Sequence, residues 1–256
     1  MLKVVRCLNE WASIRQEITG TLGFVPTMGC LHAGHEALIK EAVSSNTKTV
    51  VSIYVNPTQF NSADDLEGYP KTEKQDIALL DQLGVDYVLV PESSAMYPEE
   101  NQTTVQTTHS LSTCLEGEHR PGHFNGVLTV VMKLLWLVRP SNIYFGDKDY
   151  QQCVLVRSMM DAYHIPSKMH VLATQREDGG LPLSSRLNRL NKEGLKQARF
   201  FANAFHAIQS DKECDVFKKE MEEEGVTIEY LKAMDDHLFV AAFVQSVRLI
   251  DHKRWR

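Results

Sequence analysis

The chain has 256 residues, enough for one large domain or for a larger and a smaller one, each with a buried core. Its 43% hydrophobic and 23% charged residues describe an ordinary globular protein, and a net charge of −6 without any run of Lys and Arg argues against a general nucleic-acid or anionic-membrane surface. Five scattered cysteines (Cys7, Cys30, Cys114, Cys153, Cys214) form no C-x-x-C pair, the early charges Lys3, Arg6, Glu10 and Arg15 leave no signal-peptide core, and Lys133 interrupts the most apolar stretch, so a cytoplasmic protein is expected.

The first predicted elements are a strand at 22–25 and a helix at 36–45, joined through Pro26-Thr27-Met28-Gly29-Cys30-Leu31-His32-Ala33-Gly34-His35. Such a turn builds a phosphate site. Gly29 and Gly34 let the backbone approach an anion closely, and the helix starting near His35 points free N–H groups and its positive dipole end at the same spot. Two imidazoles beside it can donate to phosphoryl oxygens.

A strand at 49–55 follows and runs into Asn56-Pro57-Thr58-Gln59-Phe60. A neutral amide there, Gln59, can orient a carboxylate without neutralising it, which matters when that carboxylate must stay nucleophilic. The spacing then predicts a helix over 72–83, with Thr72 and Gln75 as a capping box and Gly84 as its stop, and a strand at 86–90. Before a long helix at 124–138 lies Gly117-Glu118-His119-Arg120-Pro121-Gly122-His123-Phe124, which brings Arg120 and His123 to a helix start where they can meet an anion. His119 and His123 do not make a zinc pair, because Pro121 and Gly122 break the helix and no Cys or carboxylate completes a set.

A strand at 142–145 leads into Gly146-Asp147-Lys148-Asp149-Tyr150-Gln151-Gln152, a helix over 149–163 and a strand at 168–172. Gly146 permits close approach, Lys148 offers a point charge for phosphate, Asp149 stands where it can cap the helix or hold a ribose hydroxyl, and Gln152 can face the same cleft as Gln59. This alternation predicts an α/β fold, a Rossmann-like doubly wound parallel sheet over 1–173, with ligands at the carboxyl ends of its strands. Beyond residue 174 come a polar loop at 176–188, a helix at 191–209, an acidic, Lys-containing segment at 211–224 whose charge run at 218–224 reads as a solvated helix face, and short strands at 226–230, 238–244 and 247–251. These read as a smaller C-terminal α+β lid domain, 174–256. Its Leu183-Ser184-Ser185-Arg186 offers hydroxyls and a guanidinium able to wrap phosphates once a ligand has bound.

Taken in order and spacing, these five blocks resemble the pantothenate synthetase family over residues 20–190: Pro26-Thr27-Met28-Gly29 with His32-x-Gly34-His35, Val55-Asn56-Pro57-x-Gln59-Phe60, Arg120-Pro121-Gly122-His123-Phe124-x-Gly126-Val127, Phe145-Gly146-x-Lys148-Asp149-x-Gln151-Gln152 and Ser184-Ser185-Arg186. The resemblance implies a nucleotidylyltransferase-superfamily ligase that adenylates pantoate with ATP, releases pyrophosphate, and passes the pantoyl group to β-alanine with release of AMP. It places ATP at Met28, Gly29, Cys30, Leu31, His32, Ala33, Gly34 and His35, at Gly146, Asp147, Lys148 and Asp149, and at Gln175, Leu183, Ser184, Ser185 and Arg186. It places pantoate at Gln59 and Gln152, with Gln59 also touching β-alanine and Arg120 and His123 as further substrate-binding residues. The catalytic set it implies is His35, the family's proton donor, with His32, Lys148, Ser184, Ser185 and Arg186 around the α-phosphate.

Mg2+ is implied as well, arriving with ATP. Asp76 matches a metal position of the family, but Gln75 and Leu79 depart from the residues usual beside it, so no metal ligand is assigned. A homodimer with small-molecule substrates, without nucleic acid or membrane partners, completes what the resemblance implies. Leu187 stands where the family has Asn, and an exchange back to Asn is expected to have little effect. The alternative reading is a nucleotidylyltransferase acting on a phosphorylated small molecule, which needs basic residues in place of Gln59 and Gln152.

Overall fold

The computed structural model describes residues 1–99 and 103–255. By contacts the chain divides into two compact units. The first holds Met1–Leu31, His35–Asp147 and Gln151–Leu172, and the second holds His32–Gly34, Lys148–Tyr150 and the chain from Ala173 on.

In chain order the first elements are β1 (Lys3–Val5), α1 (Leu8–Glu17), β2 (Leu22–Thr27), α2 (Ala33–Ser45), β3 (Lys48–Ile53), α3 (Ala63–Glu67), α4 (Glu73–Gln82) and β4 (Tyr87–Leu89). They are followed by α5 (Ser93–Met96), α6 (Glu116–His119), α7 (His123–Val138), β5 (Asn142–Gly146), α8 (Tyr150–Ala162) and β6 (Lys168–Leu172). The six strands form one sheet in the order β1-β4-β3-β2-β5-β6, every pair parallel. From β2 the chain steps outward through β3 and β4 on one side and through β5 and β6 on the other. The winding therefore reverses between β2 and β5, and open α/β sheets hold ligands at the carboxyl ends of such strands.

The central strands read as parallel strands should. Four consecutive residues of β2, Leu22 to Val25, are buried, as are five of β3, Thr49 to Ile53. Continuous burial leaves no polar face and explains the near absence of alternation. Val25, Val51, Ile53, Leu38, Ile39 and Leu80 form a common core with Val88 and Tyr144.

The second unit is built on an antiparallel sheet of β7 (Val226–Met234), β8 (His237–Val244) and β9 (Val247–Arg254), with α9 (Lys192–Ala207) and α10 (Asp211–Glu223). Asn191 caps α9 by accepting the Gly194 N–H at 2.9 Å. Phe201 and Phe205 from α9 meet Phe217 and Met221 from α10 and Leu238 and Val240 from β8. The acidic segment is thus a helix whose exposed charges flank a short apolar stripe, because Phe217 and Met221 are four apart.

The structure adds elements that the sequence does not announce. The strand β1 and the helices α1, α3, α5 and α6 are each short or bury little: Val5 alone is buried in β1, and Trp11 alone in α1, which leaves no periodicity to read. The capping box at α4 does not form. Thr72 is the N-cap, but its side chain accepts no helix amide, and its hydroxyl donates to Asp76 Oδ2 at 3.0 Å. Among the described residues no helix is long and apolar enough to cross a membrane.

Candidate active site

The turn after β2 is closed by internal partners. Thr27 Oγ1 donates to the Ser52 carbonyl at 2.7 Å and accepts the Gly29 N–H at 3.1 Å. The Cys30 and Leu31 N–H groups then donate to the two oxygens of Asp76, at 2.9 and 2.8 Å. Gly29 takes a φ of +78°, and a Cβ there would stand 3.0 Å from Asp76 Oδ2. The anion that this glycine turn approaches so closely is therefore a carboxylate of the chain itself.

Beyond the turn, α2 begins at Ala33 and carries His35 as its third residue. His32, just before the helix, accepts the Gly34 N–H at Nδ1 over 3.2 Å, so the neutral ring carries its proton on Nε2. A Cβ on Gly34 would lie 3.0 Å from that ring, which makes glycine the residue that lets the imidazole cap the helix.

The turn after β3 fixes one carboxamide at both ends. Asn56, buried, donates from Nδ2 to Gln59 Oε1 at 3.0 Å and to the Gly126 carbonyl at 3.2 Å. Gln59 Nε2 points to Met28 Sδ at 3.2 Å. Asn56 is itself held, since Oδ1 accepts from Thr58 Oγ1 at 3.0 Å and from the Tyr97 hydroxyl at 2.8 Å. The start of α7 packs tightly on this turn: a Cβ at Gly126 would fall 2.2 Å from the Thr58 carbonyl oxygen, so only glycine fits.

Arg120 and His123 converge on the same turn. Arg120 Nη2 donates to the Gln59 carbonyl at 3.2 Å, and His123 Nδ1 meets that oxygen at 2.8 Å. Arg120 also lies 3.6 Å from the buried Glu116 carboxylate. Both side chains therefore support the main chain of Gln59.

After β5, the adjacent glutamines of α8 take different roles. Gln151 is buried and accepts the Glu116 N–H at 3.0 Å while donating to the Leu111 and Cys114 carbonyls at 2.9 and 3.0 Å. It pins the 111–116 segment. Gln152, about 100° further round the helix, is half-buried.

Within the second unit, one pocket gathers Lys148, Pro182, Ser184, Arg186 and Arg248. Ser184 caps the short 3-10 turn Ser185–Arg189 by accepting the Arg186 N–H at 3.3 Å, which fixes the start of the Ser-Ser-Arg block. The preceding loop is a small hairpin, in which Leu183 N–H donates to the Gln175 carbonyl at 3.0 Å and Glu177 N–H to the Leu181 carbonyl at 2.9 Å. Arg176 fastens it by two bonds to Asp251, at 2.7 and 2.8 Å, and His206 adds a third at 2.9 Å. Burial pushes the Asp251 carboxyl up, but the bonds from Arg176 and His206 outweigh it and hold the group below the usual carboxylate range.

Of the residues named from sequence, Lys148, Ser184 and Arg186 come together in that pocket, and Met28 and Gln59 touch in the first unit. Arg248, Asn56 and Asp251 were missed. Arg248 had a readable signal: it is the sole charge in the otherwise apolar run Val247-Arg248-Leu249-Ile250, and Glu229 holds it at 2.5 Å. Asp76 accepts two bonds at Oδ2 and one at Oδ1 from its own chain, and among the described residues no group of three His, Cys, Asp or Glu side chains is placed to hold a metal ion, so no protein ligand is assigned to Mg2+.

A parallel sheet with chemistry-bearing turns at the carboxyl ends of its central strands places the chain among the α/β proteins whose ligands bind where the winding reverses. The profile of the Pantoate-beta-alanine ligase family matches residues 1–254. A pantothenate synthetase of Coxiella burnetii (strain Dugway 5J108-111) is 44% identical over 253 residues, 98% of this chain and 96% of that protein. The crystal structure of a Francisella tularensis pantoate-beta-alanine ligase, complexed with beta-gamma ATP and β-alanine, superposes with a TM-score of 0.96 at 37% identity, covering 99% of this chain and 98% of the other. A pantothenate synthetase from Thermus thermophilus gives a TM-score of 0.89 at 35% identity, covering 99% of this chain and 100% of the other. The chain belongs to the pantoate-beta-alanine ligase family. It is a ligase that joins pantoate to β-alanine.

Proposed function

We propose that ATP drives this ligation through a pantoyl adenylate. A pantoate carboxylate oxygen attacks the α-phosphorus, the bond to the β-phosphate breaks, and pyrophosphate leaves. The β-alanine amine then attacks the acyl carbon and loses a proton, and AMP departs with the shared oxygen.

The observation that carries this reading is the meeting of Lys148, Ser184 and Arg186 in one pocket. Two cations and a hydroxyl suit the charge that a phosphoryl group gathers during transfer. The Francisella relative's complex with beta-gamma ATP and β-alanine supports the choice of both substrates.

In this reading Met28 to His35, Gly146 to Asp149, Gln175 and Leu183 to Arg186 hold ATP. His35 is the proton donor, and His32, whose Nδ1 is spent on Gly34, offers its Nε2 hydrogen to a phosphoryl oxygen. Ser185 adds a second hydroxyl. Gln59 and Gln152 hold pantoate, and Gln59 also meets β-alanine. The carboxamide of Gln59, set by Asn56 and Met28, orients the carboxylate without a charge that would quench its nucleophilicity. Arg120 and His123 serve the same subsite through the Gln59 carbonyl. Mg2+ enters with the nucleotide, ligated by phosphates and water. The enzyme works as a homodimer in the cytoplasm.

The test is isotope exchange between pyrophosphate and ATP. It should require pantoate and proceed without β-alanine, because adenylate formation comes first. Exchange that needs β-alanine, or that unrelated acids support equally, contradicts the reading.

A further inference from the structure

The residue that the family resemblance marks as a metal position does something else in this chain. Asp76 lies in the first turn of α4 with 3% of its surface exposed. A carboxylate so buried is costly unless its charge is met by donors. Here three meet it: Cys30 N–H at 2.9 Å and Thr72 Oγ1 at 3.0 Å on Oδ2, and Leu31 N–H at 2.8 Å on Oδ1. The amino end of α4 adds a favourable dipole. The bare face of Gly29 closes on the same oxygen, since a Cβ there would come within 3.0 Å of Oδ2.

We infer that Asp76 is a positioning residue for catalysis: as an internal anion bound by two successive amides, it sets the turn from which the chain enters α2 and presents His35. Thr27 Oγ1 holds the Gly29 amide, and Asp76 holds the next two. Cys30 carries a positive φ of 53°, an unfavourable conformation for a side chain with a Cβ, and it is Asp76 that accepts the Cys30 amide. From Leu31, the second amide Asp76 holds, only three residues lead to His35. Thr72, expected to cap α4, is spent on this anchor instead.

The consequence for activity rests on the proposed adenylation, whereas the hydrogen bonds can be tested apart from it. Asp76→Asn keeps the shape but replaces one acceptor oxygen with an NH2 group that faces an amide donor. Hydrogen exchange at the Cys30 and Leu31 amides should accelerate roughly tenfold or more in this variant while the amides of β3 and β5 keep wild-type rates, as loss of a charged hydrogen bond implies. Pantoate-dependent pyrophosphate exchange should lose kcat by roughly tenfold or more, with the midpoint of its Mg2+ titration unchanged. Wild-type exchange rates at the two amides overturn the inference. So does a shifted Mg2+ midpoint with activity restored at high Mg2+, which marks a metal ligand. Should Asp76→Asn fail to fold, native-state exchange in the wild-type enzyme decides: Cys30 and Leu31 amides protected like those of the sheet support the anchor, and amides that exchange as freely as exposed loop amides overturn it. Absence of pantoate-dependent exchange in the wild-type enzyme sinks the adenylation reading and leaves the amide measurement standing on its own.

Discussion

His32 and His35 flank a single glycine turn, yet the structure separates their tasks. His32 spends Nδ1 on the Gly34 amide, and His35 stands within the first turn of α2. Lys148 lies in the pocket with Ser184 and Arg186, 3.5 Å from the Asp149 carboxylate. An ammonium resting beside a carboxylate can turn to a stronger anion when one enters. His35→Ala and Lys148→Ala should each slow pantoate-dependent exchange by roughly two orders of magnitude, the usual cost of losing a transition-state donor. Circular dichroism should show an unchanged fold. A variant that retains near-wild-type exchange shows that its residue has no such role. At this scale the residue types were legible, because His, Lys, Ser and Arg announce their chemistry. What was not legible is who partners whom. Asp251 holds Arg176 from 75 positions away, and no local pattern encodes a bond between Cys30 and Asp76, 46 positions apart.

Elements were legible in proportion to what they bury. The helix α7 starts within a residue of its expected position, since eleven of its sixteen residues are buried and Gly122 ahead of it adopts a left-handed φ of 81°. The helix α1, with Trp11 as its single buried residue, gives no such signal. The 3-10 turn Ser185–Arg189 shows how an element changes the meaning of a residue. Leu187 stands where the family has Asn, and from sequence the exchange back to Asn is expected to have little effect. The turn instead folds it inward, 7% exposed, into the core with Leu181, Phe201 and Phe205. Leu187→Asn should therefore destabilise the protein by about 3 kcal/mol, combining a lost apolar side chain with a buried amide. Chemical denaturation measures this directly, and an unchanged midpoint contradicts it. The expectation of little effect is set aside on those grounds.

At the scale of the molecule, the alternation of strands and helices was enough to read a parallel sheet, and the antiparallel unit followed from three short apolar runs near the end of the chain. Strand order was not written in any local segment. It depends on which strands share a core, as Val25, Val51, Val88 and Tyr144 do. That order matters for function, since it puts β2 and β5 side by side with their carboxyl ends leading to the histidine turn and to Gly146. The proposed adenylation differs from an ADP-forming ligation in which phosphorus the carboxylate attacks, the α-phosphorus or the γ-phosphorus of ATP.

The direct measurement of that claim uses pantoate labelled with heavy oxygen in its carboxylate. If the carboxylate attacks the α-phosphorus, one labelled oxygen bridges to the AMP moiety and stays on phosphorus when the amine displaces it. Mass spectrometry of a complete turnover should then find label in AMP, with pyrophosphate unlabelled. Label in inorganic phosphate, accompanied by ADP, would mean an acyl phosphate and would contradict the account of an adenylating ligase.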